Sequence, residues 1–127
     1  VIDVIATDHA PHLKYEKMQE IDYTPFGIIG LETAVPLIIT VLVQKYGFSY
    51  LEAFSKVTSN PARILRLDSG VLAEGKKADI TVINPERKVA ITEEFIISRC
   101  KNTPFIGAEL SGSVEYTICG GSIVYRR

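Results

Sequence analysis

Both histidines of this 127-residue chain, His9 and His12, fall within four positions of Asp8, in the stretch IATDHAPH (5–12). A short apolar run ends there in a carboxylate and two imidazoles. At the carboxyl ends of parallel α/β strands, such groups face the place where chemistry is done. A carboxylate so placed can bind a metal and accept a proton from metal-bound water. Nearby imidazoles can ligate or hold an anionic substrate. The plainer reading makes Asp8 the cap of a helix that starts in the next turn. Pro11 weighs against that, because it drives Ala10 away from helical backbone. A metal site needs three or four ligands, and Asp8, His9 and His12 are not a convincing set alone.

The elements around this motif follow from periodicity. Val1 to Thr7, VIDVIAT, is β-branched and mostly apolar on both faces, as buried parallel strands are. Asp8 to Phe26 has no periodicity and reads as a long loop, a length usually functional or disordered. Its segment KYEKMQEIDY (14–23) suits either mobile surface or an active-site flap. Leu31 to Tyr46 is predicted as a helix closed by Gly47, with Pro36 moving its proper start toward Ala34. Its apolar residues cover nearly every face, so protein must surround it.

Ser49 and Glu52 form a capping box for a helix over 50–57, and Asn60 before Pro61 caps a third, short helix. Beyond Gly70, residues 78–85, 88–91, 114–118 and 122–126 read as strands, the last two joined by a Gly120–Gly121 hairpin. The fold class is α/β: residues 1–66 end an α/β unit and residues 67–127 belong to a β module.

Composition narrows the function classes. The net charge is −1, with 46% apolar and 23% charged residues, so a soluble protein without a nucleic-acid-binding face is expected. The most apolar stretch, residues 28–47, carries Glu32 and Pro36 and is too broken to span a membrane. Cys100 and Cys119 make no CxxC pair and read as two buried, reduced thiols of a cytoplasmic protein. The chain opens at Val1, within the predicted strand, and reads as an excised piece of something longer.

ATDHAPH (6–12), FGIIGLET (26–33), NPARIL (60–65), GKKADITVINP (75–85) and KNTPFIGAELSGSV (101–114) together resemble the C-terminal part of the dihydroorotase family, in the amidohydrolase superfamily. The resemblance covers essentially the whole chain. It implies the last strand and following helices of a (β/α)8 TIM barrel over 1–66, and the C-terminal part of a small β-sandwich over 67–127. It implies zinc as cofactor, with Asp8 a zinc ligand and the general base and acid. His12 then binds the substrate carboxylate, and Phe26 and Gly27 contact the same substrate through their backbone. His9 supports the loop or Asp8.

The implied reaction is the reversible cyclisation of N-carbamoyl-L-aspartate to dihydroorotate in pyrimidine biosynthesis. An aspartate touching metal and substrate can move the required proton either way. The small-molecule substrate is the implied partner, with self-association and contact with aspartate transcarbamoylase as further ones. A hydantoinase- or allantoinase-type amidase and a non-catalytic dihydroorotase-like partner are the competing readings. The family's HxH pair, further histidine ligand and bridging lysine are not found, and a whole barrel takes roughly 250 residues. The chain alone is therefore expected to be inactive.

Overall fold

The computed structural model describes residues 2–127; Val1, the first residue of the predicted opening strand, lies outside them. Residues 2–8 form no strand. A parallel strand takes its hydrogen bonds from neighbours, and among the described residues none lies alongside. What holds this segment is local: Ile5 N–H donates to the Lys56 carbonyl at 3.0 Å, and Asn60 Nδ2 to the Asp3 carbonyl at 2.9 Å.

The loop that follows contains one turn of helix, α1 (Lys14–Lys17). Glu16 sits in that turn and accepts the Leu13 N–H at 2.6 Å. The main helix begins at Leu31, earlier than Pro36 suggests, as α2 (Leu31–Leu37). Pro36 lies inside α2, where its missing N–H removes one bond of the ladder. Directly after it the helix widens into a π-helix, Ile38–Lys45. Gly47 ends it at φ +73°, as expected of a residue past a helix end. Ile38 and Ile39 are buried, while Val41 and Leu42 are half-buried along an apolar cleft of about 350 Å³.

The next helix, α3 (Tyr50–Ser55), has the predicted capping box: Ser49 Oγ accepts the Glu52 N–H, and Glu52 Oε2 accepts the Ser49 N–H at 2.9 Å. The fourth, α4 (Ser59–Ile64), starts one residue before Asn60, with Thr58 at its N-cap. Asn60 is not the cap, because its side chain is turned back to Asp3.

Three antiparallel strands complete the chain: β1 (Ile80–Ala90), β2 (Glu109–Cys119) and β3 (Ser122–Arg126), in that order across the sheet. The two strands expected over 78–91 are one strand with a shift of register between Asn84 and Lys88. Pro85 sits in that shift, and Asn84 Oδ1 satisfies the Glu86 and Arg87 N–H groups there. Gly120 and Gly121, at φ +56° and +84°, make the two-residue hairpin between Cys119 and Ser122. Cys119 is exposed at the end of β2 and Cys100 is half-buried; both are free thiols, but not the buried pair expected.

The sheet is seated on the π-helix. Ser111 N–H donates to Thr40 Oγ1 and Ser111 Oγ to Gln44 Oε1, both at 2.8 Å. Next to Ser111, Gly112, at φ +100°, lies so close to Ile39 that a Cβ would overlap its side chain. The core beside them gathers Ile29, Val89, Ile91, Ile96 and Leu110. Residue Ile29 thus ties the candidate site's loop to the sheet, and burying it fixes that loop's base.

Candidate active site

Two short segments meet at the site. His9 and Ile28 form a parallel bridge, and Ala10 N–H donates to the Ile28 carbonyl at 2.9 Å. This draws residues 9–12 alongside 26–30. Gly27 permits the approach: at φ +103° it has the backbone that glycine alone adopts freely, and a Cβ would lie 2.5 Å from Ala10 Cβ.

His12 and Phe26 are brought together, with Nε2 2.8 Å from the Phe26 carbonyl oxygen. Gly27 stands beside the same ring. The Phe26 side chain is 94% exposed, so its backbone rather than its ring belongs to this cluster. Asp8 is exposed, with left-handed backbone at φ +44°. Aspartate is among the few residues that tolerate that conformation. Asp8 takes no part in the hydrogen bonds that join the two segments. His9 does: its Nδ1 accepts the Gly30 N–H at 3.2 Å, so the proton of the neutral ring sits on Nε2.

Three residues outside the motif hold this arrangement. Lys17 Nζ donates to the Pro25 carbonyl at 2.8 Å and the Gly27 carbonyl at 3.3 Å. Glu32 accepts the Ser98 N–H at 2.6 Å. Burial pushes the Glu32 carboxyl up, but hydrogen bonds from Ser98 and from its own backbone, with a smaller electrostatic contribution from His9, outweigh this and hold it below the usual range. Asn102 is the third. Its side chain accepts the His12 N–H at 3.1 Å and donates to the Ala10 carbonyl at 2.8 Å. Sequence reading assigned Asn102 no role, although it stands in the KNTPF block; its partners are too distant along the chain to suggest one.

Zinc needs about four donors. No group of three His, Cys, Asp or Glu side chains that could hold a metal occurs among the described residues. The described residues alone do not fit a zinc centre. No helix among the described residues is long and apolar enough to cross a membrane.

The sequence profile of the amidohydrolase family matches residues 1–124. The chain belongs to the amidohydrolase family. This amidohydrolase chain is 50% identical over 124 residues to the dihydroorotase of Clostridium acetobutylicum, covering 98% of itself and 29% of that protein. It is 49% identical over 126 residues to the dihydroorotase of Endomicrobium trichonymphae, covering 98% of itself and 30% of that protein. It therefore spans less than a third of the length of these curated relatives. Among solved structures, dihydropyrimidinase from Brevibacillus agri superposes with a TM-score of 0.89 at 22% identity. That match covers 98% of this chain and 28% of the other; solved hydantoinases superpose comparably, with TM-scores of 0.85 and 0.88, so the fold is like theirs.

Proposed function

We propose that this chain serves in a dihydroorotase, catalysing the reversible, zinc-dependent cyclisation of N-carbamoyl-L-aspartate to L-dihydroorotate in cytoplasmic pyrimidine biosynthesis. Residues 1–66 would end a TIM-barrel catalytic domain, and residues 67–127 would be the C-terminal part of a β-sandwich. The observation that carries the reading is the junction of His12 with the Phe26–Gly27 backbone, at 2.8 Å. The His12 Nε2–H, held by the Phe26 carbonyl, is a donor that a carboxylate could take over, and this suits an anionic group that is bound and does not react. The 50% identity to a protein named dihydroorotase supports the same reading, while the hydantoinase-like structures lie near 22% and speak for the fold.

In this reading Asp8 is one zinc ligand and moves the proton to and from the ring nitrogen, and His12, Phe26 and Gly27 anchor the carboxylate. The remaining ligands would lie outside these residues, so the 127-residue chain supplied with zinc should not turn over dihydroorotate. The test uses the full-length protein with zinc, offered dihydroorotate and an uncharged hydantoin. Preference for dihydroorotate is expected. Preference for the hydantoin would make it a cyclic amidase of another kind, and no turnover of either would make it a non-catalytic relative.

A further inference from the structure

Asn102 binds both segments of the candidate site at once. Its Oδ1 accepts the His12 N–H at 3.1 Å; its Nδ2 donates to the Ala10 carbonyl at 2.8 Å and the Gly27 carbonyl at 3.4 Å. Its own main-chain carbonyl accepts the Ile29 N–H at 3.1 Å. The sense of the amide is fixed by these partners, since an N–H can only donate and carbonyls can only accept. Turned over, the side chain would set like against like at all three contacts.

No other common side chain fits this place. Aspartate would keep the His12 N–H but set a carboxylate against two carbonyls. Alanine would leave the Ala10 carbonyl without this donor and the Gly27 carbonyl with Lys17 alone, and serine has one short hydroxyl in place of an acceptor and a two-proton donor. Asn102 itself stands on the segment between β1 and β2, and its main-chain bond to Ile29 ties it to the core that Ile29 shares with Ile91, Ile96 and Leu110. That segment is thus the frame against which residues 10–12 and 27–29 are measured.

We propose that Asn102 is a positioning residue of the carboxylate anchor, setting the distance between His12 and the Phe26–Gly27 backbone without touching substrate itself. This rests on the dihydroorotase reading. Loosening the two segments separates groups that must grip one carboxylate together, so the loss falls on binding and passes through His12.

The experiment is a double-mutant cycle in the full-length, zinc-loaded protein with Asn102→Ala, His12→Ala and the pair. Asn102→Ala alone should raise KM for dihydroorotate about tenfold, the worth of roughly 1.4 kcal/mol, with zinc content intact and kcat changed less. In the His12→Ala background the same change should raise KM less than about twofold, because nothing is left for it to position. Full additivity, or an unchanged KM in the single variant, overturns the proposal. If Asn102→Ala does not fold, Asn102→Ser takes its place; if neither folds, the residue is a folding determinant and the proposal is wrong. Wild-type protein inactive on dihydroorotate would instead defeat the functional reading beneath it.

Discussion

The Nε2 atom of His12 lies 2.8 Å from the carbonyl oxygen of Phe26. A carbonyl can only accept, so this nitrogen carries a proton, and an incoming carboxylate competes with the protein's own backbone for it. On the proposed function, His12→Ala in the full-length protein should therefore act mainly on KM. A charge-assisted bond worth roughly 1.5–3 kcal/mol corresponds to about ten- to a hundred-fold in affinity, and the exchange with Phe26 favours the lower end. Zinc content should be unchanged, and discrimination against a cyclic amide lacking the carboxylate should shrink. Steady-state kinetics on both substrates beside metal analysis decides it; loss of zinc would show His12 to be a ligand instead.

Asp8→Asn separates chemistry from backbone. Asparagine tolerates the left-handed conformation at φ +44° as aspartate does, so the substitution adds no strain. It removes the charge and the proton-accepting oxygen, and kcat should fall by at least ~10², a usual general acid–base contribution. A metal-loaded variant with near-normal kcat would reduce Asp8 to a structural residue.

Gly112→Ala probes the seat of the sheet on the π-helix. The new methyl group would overlap Ile39, and φ +100° strains any residue bearing a Cβ. Backbone strain of this kind alone costs about 1–3 kcal/mol. The urea midpoint of the full-length protein should drop accordingly; an unshifted midpoint would mean that the two surfaces are not in this contact.

Glu32 ties acid stability to the site. Its folded pKa lies below the ordinary 4.5, so the stability it contributes is present above that value and is lost as pH falls through the lower one. Glu32→Gln should flatten the fall of stability as pH drops below the ordinary 4.5. Unfolding midpoints measured across that range would be parallel in both proteins if the Ser98 bond does not form.

Local chemistry was legible and long-range chemistry was not. The Ser49–Glu52 box, the Gly47 stop and the Gly120–Gly121 hairpin each depend on neighbours a few residues away, and each stands where the sequence puts it. The start of α2 was misjudged because tertiary packing tolerates Pro36 inside the helix, at the cost of a widened turn. The early part of β2, Leu110-Ser111-Gly112-Ser113, lacks strand-like residues and owes its order to Thr40, Gln44 and Ile39. The cluster of His12 with Phe26 and Gly27 was expected from resemblance, whereas Asn102 was invisible because its meaning lies entirely in distant partners.

The bond between His12 and Asn102 joins residues 90 positions apart. A chain emerging from the ribosome therefore makes its first loop of the site long before it makes the clasp. Loop-closure entropy grows only with the logarithm of length, so the delay adds little to the thermodynamic cost. It does add time: the anchor exists only after the last third of this chain has been synthesised and has docked. Pulsed amide exchange during refolding should find the His12 N–H protected late, with the sheet rather than with α3.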